Sequence, residues 1–383
     1  MADEEGEGGA QELQLGAQPF DLAFHPSSNL VAVGLITGNL QLFKYGTAVE
    51  PEKLWAVNAH TESCRGVRFA EGGRFILSAS ADRSVLATDP ETGQAAARLT
   101  DAHSAAINRI VNASETSVAT GDDEGTIKIW DTRQNTCVGT FNTHEDFIAD
   151  MEYVPASNQL LSASGDGTLS VCNLRRMKVD AQSQFAEDEL LSVVVVKNGR
   201  KVICGSQEGV LLIYSWGYFS DCSDRFVGHP NSVDALLKLD EDTLVTGSSD
   251  GMIRIVSVLP NKMIGVIGEH ADFPVERLAF SFDKAVLGSA SHDNTVKLWD
   301  VKYLLEDGGA GEEENQGTNA DVSGSNAGAS GVNNEPAQAP MAVDSDEDMD
   351  SDEDPGAGSS SKKKKKGGKN ISVKQNNFFD GLL

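Results

Sequence analysis

The chain has 383 residues, with 58 acidic against 31 basic side chains and a formal charge of −27 at pH 7. Phosphate binding rests on Lys and Arg, so a chain this acidic is unsuited to holding nucleic acid over its whole surface. Hydrophobic residues, at 39%, suffice for a core, but no stretch approaches the ~18 uninterrupted apolar residues of a membrane span, so no membrane association is expected.

Length alone suggests two or three domains at about 150 residues each. Residues 1–11 begin Met1-Ala2-Asp3-Glu4-Glu5-Gly6-Glu7, which is acidic and apolar-poor, the reverse of a secretory or transit leader. They are expected to be disordered. The five cysteines lie no closer than 18 residues apart and form no Cys-x-x-Cys pair. That argues for a reducing, intracellular home and against a zinc site or disulfide framework.

From residue 12 to 305 one short pattern recurs seven times: a small or polar turn, then alternating apolar residues closing on a bulky or polar pair. It reads Gly38-Asn39-Leu40-Gln41-Leu42-Phe43-Lys44 first, Gly125-Thr126-Ile127-Lys128-Ile129-Trp130-Asp131 third and Asn294-Thr295-Val296-Lys297-Leu298-Trp299-Asp300 last. The aligned penultimate residues are 43, 88, 130, 172, 214, 256 and 299, separated by 45, 42, 42, 42, 42 and 43. A period of ~40–45 residues with several short strands per unit is the signature of a propeller blade. In the third unit the strands are expected over 107–111, 118–120, 127–130 and 136–141, giving four per blade.

The Trp130-Asp131 and Trp299-Asp300 endings, with histidines upstream, resemble the WD-repeat family over roughly residues 11–305. The resemblance implies an all-β, seven-bladed propeller closed by an N-terminal strand, so one domain replaces two or three. Residues 12–15 are expected to complete the seventh blade and so protect a sheet edge. It also implies that recurring His, acid and hydroxyl residues form structural tetrads ending on the Trp indole. Complete sets are expected in the third blade (His103, Thr120, Glu124, Trp130) and the seventh (His270, Ser289, Asp293, Trp299). Read alone, Ser289, His270 and Asp293 suggest a hydrolase triad. Five copies of the His–acid–hydroxyl set argue instead for architecture, because polar groups inside a blade need partners. No phosphate loop, nucleophile elbow or zinc pair is present. No enzyme activity, cofactor, metal or small-molecule substrate is expected.

Two surface features point to partners. The segment Val118 to Arg133 resembles the box by which WD-repeat substrate receptors dock the damaged-DNA-binding adaptor of cullin-4 ubiquitin ligases. Trp130, Asp131 and Arg133 would carry it, the planar guanidinium meeting a carboxylate or carbonyls. Second, Arg133, Arg175, Arg176, Lys178, Lys197, Arg200 and Lys201 map to loops of one propeller face. They form a local basic patch suited to RNA phosphate or an acidic protein surface. The opposite face carries Asp122-Asp123-Glu124, Glu145-Asp146 and Glu187-Asp188-Glu189.

From Glu306 to Ser361 there are 15 acids and no Lys, Arg or aromatic residue, so disorder is expected through 306–383. An acidic run, 344–354, contains Ser345 and Ser351, each preceding three acids as acidophilic kinases prefer. Lys362, Lys363, Lys364, Lys365 and Lys366 read as a nuclear localisation signal. Phe378-Phe379-Asp380 resembles a docking motif. Together these features resemble a nucleolar branch of the WD-repeat family. The resemblance implies a scaffold in the nucleus and nucleolus, with some cytoplasmic presence, that joins pre-ribosomal factors in ribosomal-RNA processing and ribosome biogenesis.

Overall fold

The computed structural model describes residues 10–46, 49–132, 134 and 136–306. They form seven four-stranded antiparallel sheets, six of them built from four strands consecutive in sequence. The seventh is closed from the chain's start. Gln11–Gln14 pairs antiparallel with Thr295–Asp300, with Leu13 opposite Val296. The closing strand begins one residue ahead of the expected 12–15, and Leu15 still continues the contact through its N–H to the Asn294 carbonyl. A four-residue helix, Tyr303–Glu306, is the only α-helix among the described residues.

The third blade matches its expected strands with longer ends: Ile107–Ser114, Ser117–Asp122, Thr126–Asp131 and Thr136–Asn142. Each sheet is packed on both faces, so its second strand reads as a continuous buried run rather than an alternation. Phe75–Ser80 and Val286–Ser291 are buried at every position. Outer strands such as Lys178–Gln182 stay largely exposed. The core therefore lies between adjacent blades. Leu13 and Leu15 of the closing segment pack with Leu22, Val31 and Val33 of blade 1 and Val286 and Val296 of blade 7. Blades converge toward the axis, and small residues make room there. A Cβ on Gly34 would sit 2.8 Å from Cys64 Sγ, and one on Gly121 would sit 2.7 Å from Ile148 Cβ.

The inner strands are Pro19–Phe24, Cys64–Ala70, Ile107–Ser114, Ile148–Val154, Leu190–Val196, Val233–Lys238 and Val275–Phe280. All seven break register at their second residue, between Pro19 and Asp21 in the first and between Val275 and Arg277 in the last. Such a bulge leaves one residue unpaired and re-aims its neighbours. Here it releases backbone carbonyls toward the axis.

Candidate functional site

The recurring histidines are spent on architecture. In blade 3, His103 Nδ1 meets Asp122 Oδ2 at 2.8 Å, His103 Nε2 meets Thr120 Oγ1 at 2.6 Å, and the Trp130 indole N–H donates to Thr120 Oγ1 at 2.8 Å. In blade 7, His270 Nδ1 meets Asp293 Oδ2 at 2.7 Å, Nε2 meets Ser289 Oγ at 2.6 Å, and Trp299 Nε1 donates to Ser289 Oγ at 2.9 Å. A carboxylate only accepts, so Nδ1 carries the ring proton and Nε2 accepts from the hydroxyl. Burial holds His103 and His270 below the usual histidine range, consistent with neutral rings. Burial alone would raise the carboxyls of Asp122 and Asp293. The histidine and turn-amide hydrogen bonds outweigh it and hold both below their usual range.

Asp122, not Glu124, is the acid of the third blade. Glu124 is exposed, whereas Asp122 is fully buried and also accepts the N–H groups of Glu124 and Thr126. Blades 2, 4, 6 and 7 place an Asp four residues past the hydroxyl. In blade 3 that position holds the longer Glu, and an Asp two residues past Thr120 does the work from inside the strand. The available signal was Asp122 itself, standing where the other blades have Ser80, Ser164 and Ser291.

Blades 2, 4 and 6 carry partial sets. His60 bridges Asp82 and Ser78, and His144 bridges Asp166 and both Ser162 and Ser170. In blade 6 His229 reaches Thr246, but Asp250 turns to Arg254, leaving His229 Nδ1 without a partner. Burial and Arg254 push that ring down to about 4. Blade 5 replaces the whole set: Asp188 accepts the Glu208 N–H at the turn, and Cys204 is buried at the hydroxyl position. The His60, His103, His144 and His270 side chains have no exposed surface, so the triad-like Ser289, His270 and Asp293 open onto no substrate.

Of the box residues, Trp130 and Asp131 are buried at the end of the third strand. Asp131 accepts the Gln134 N–H at 3.0 Å, and the Thr132 N–H donates to the Thr116 carbonyl, which fixes the exit of the loop. Arg133 lies outside the described residues, as do Lys362, Lys363, Lys364, Lys365, Lys366, Ser345 and Ser351. The cations of the proposed patch divide into two kinds. Arg176 pairs with Asp180, Lys197 with Asp242 at 2.5 Å, and Lys201 is held by the Ser215 and Ser223 hydroxyls. Arg200 Nε donates to the Lys197 carbonyl. Arg175 and Lys178 are exposed with no carboxylate beside them among the described residues.

Charges on the inner strands were missed in sequence reasoning, although they interrupt otherwise apolar runs such as Ala149-Asp150-Met151-Glu152. Asp21 accepts from Arg68 at 2.7 Å and from the Val67 N–H. Two guanidiniums converge on blade 4. Arg109 Nε donates to the Ala149 carbonyl, Arg277 Nη2 reaches the same oxygen at 3.2 Å from blade 7, and both stand within 4.0 Å of Asp150. Burial, with Asp150 adjacent, pushes the Glu152 carboxyl up to about 8. A raised carboxyl gives stability that is full below its unfolded value near 4.5, falls as pH rises, and is lost beyond about 8. Glu152→Gln is therefore expected to raise the melting temperature by a margin that widens from pH 5 to pH 8 and then stays constant. A pH-independent margin would mean that Glu152 folds as an ionised carboxylate.

Seven four-stranded blades, sealed by an N-terminal strand and stapled by His–Asp–hydroxyl–Trp chains, define a WD-repeat β-propeller. WD propellers generally mediate protein–protein interaction and typically serve as non-catalytic scaffolds. The family model WDR55 matches residues 10–304. WD repeat-containing protein 55 of Arabidopsis thaliana is 57% identical over 296 residues, covering 77% of this chain and 84% of its own. The mouse (Mus musculus) protein of that name is 40% identical over 295 residues, covering 77% of this chain and 76% of its own. WD repeat-containing protein JIP5 of Coprinopsis cinerea is 37% identical over 317 residues, covering 79% and 77%. The chain belongs to the WD repeat-containing protein 55 family. Among the described residues no helix is long and apolar enough to cross a membrane, and no group of three or more His, Cys, Asp or Glu side chains is placed to hold a metal.

Proposed function

We propose that this protein is a non-enzymatic scaffold of the nucleus and nucleolus that joins pre-ribosomal factors in ribosomal-RNA processing and ribosome biogenesis. The observation that carries this reading is the burial of the histidine chains. The groups that resemble a catalytic site are used up inside the blades, and the polarity left for partners lies on the loops. Arg175 and Lys178 offer unpaired charge to an acidic protein surface or to RNA phosphate, and Lys362–Lys366 supplies the nuclear address. With those five lysines changed to Gln, the full chain is expected to leave the nucleolus and to stop sedimenting with pre-ribosomal particles, its melting curve unchanged. Unaltered sedimentation and location would overturn the reading.

A second reading is a substrate receptor that docks the damaged-DNA-binding adaptor of a cullin-4 ligase. The loop exit held by Asp131 and Thr132 supports it, because it fixes the part of the box that runs from Trp130 to Thr132. Arg133→Ala is expected to abolish adaptor capture while the propeller stays folded. Capture at parental levels would sink this second role and leave the first untouched.

A further inference from the structure

The inner strands enclose a pit of about 490 Å³ on the propeller axis. Its walls come from the third and later residues of those strands and from Pro26 in the turn after the first, and the loops between blades contribute none. The pit therefore opens on the face that carries the first-to-second-strand turns, the same face as Arg175 and Lys178. Arg277 closes the bottom, its guanidinium spanning from blade 7 to the Ala149 carbonyl of blade 4. Phe24, Phe69 and Phe280 line the wall nearer the mouth.

Two buried polar atoms in this pit have no partner: the Nε of Arg277, a residue only 6% exposed, and Oε2 of Glu152. Charge is also unbalanced there. Asp21 compensates Arg68, and Lys238 is paired with Glu241, but the single carboxylate of Asp150 is shared by Arg109 and Arg277. A buried donor left unmade costs free energy that a ligand accepting from it recovers. We propose that the pit receives one carboxylate side chain, Asp or Glu, presented on an otherwise uncharged segment of a protein partner that docks across this face. The carboxylate accepts the Arg277 Nε–H and the Glu152 hydroxyl. Burial and Asp150 beside it push the Glu152 carboxyl up to about 8, outweighing the backbone hydrogen bond from Val195 and the charge of Lys238, so it is protonated near neutral pH and its Oε2 has no partner in the protein. The remaining charges around the pit are Asp21, Arg68 and Arg277. A nucleic-acid backbone is disfavoured by the acidic turn Asp240-Glu241-Asp242 and by Asp283 on the same face. A lone carboxylate on an apolar stem fits past the three phenylalanines. The inference stands whichever of the two roles above holds.

The test is selection of random displayed peptides on the immobilised full chain at neutral pH, followed by affinity measurement with the isolated consensus peptide. Selected peptides are expected to share an Asp or Glu at one position. Changing it to Asn or Gln should weaken binding about tenfold or more, as should Arg277→Met in the protein. Binding should also fade above about pH 8 as Glu152 ionises and repels the ligand. Glu152→Gln keeps a donor and no charge, so it should bind at neutral pH and lose that pH dependence, an outcome that stands even if Arg277→Met misfolds. An invariant Lys or Arg in the peptides, failure to select any peptide, displacement of the peptide by single-stranded RNA, or indifference to the peptide's acid would each overturn the proposal.

Discussion

Asp122→Ala is expected to cost about 3 kcal/mol of stability, while Glu124→Ala costs less than about 0.5 kcal/mol. Asp122 is fully buried and makes three bonds: it accepts His103 Nδ1–H at 2.8 Å and the N–H groups of Thr126 at 2.8 Å and Glu124 at 3.1 Å. Truncation leaves a buried imidazole N–H with no acceptor and releases the turn that starts the third strand. The hydroxyl of Thr120 and the Trp130 indole then lose the ring orientation that held them. At roughly 1.6 °C per kcal/mol for a propeller of this size, the melting temperature should fall by about 5 °C. Exposed Glu124 has no such debt. Equal losses for the two variants, in thermal or urea melts, would return the acid's role to Glu124.

Gly38→Ala is the second large effect, expected at about 4 kcal/mol or more. Gly38 has φ +80°, where an L side chain is strained by roughly 1–2 kcal/mol. Steric contact adds to this, because a Cβ there would lie 2.4 Å from the His60 carbonyl and 2.5 Å from that of Glu62. Relief requires the next blade to move away, which breaks the bond from the His60 N–H to the Gly38 carbonyl. Gly199→Ala separates the two causes: it has φ +76° but nothing within 4 Å of its Cβ position. It should lose only about 1–2 kcal/mol. If the two substitutions proved equal in a melt, the blade contact at Gly38 would carry no energy of its own.

Blade number, blade boundaries and the closing strand were legible in the sequence because they rest on local periodicity. The 42-residue spacing and the alternation within Thr126–Asp131 survive with no knowledge of what packs against what. The histidine chain was legible in its members His103, Thr120 and Trp130, since each recurs at a fixed place in the repeat. Its acid was not. Position 124 satisfies the spacing, but the turn leaves Glu124 in solvent and points Asp122 inward, a choice made by φ, ψ and side-chain length. The basic patch is a further example: composition supplied the cations, but only folding shows that Arg176 and Lys197 are already neutralised by Asp180 and Asp242.

What the sequence by itself determined is therefore the repeat and everything that follows from it: seven all-β blades, their order and their seal. Tertiary structure alone decided which charges meet. Arg277 reaches Ala149 from 128 residues away, and no pattern along the chain encodes that approach. It arises because a bulge in every inner strand aims carbonyls and side chains at one axis, where residues remote in sequence share a few ångströms of space excluded from bulk water.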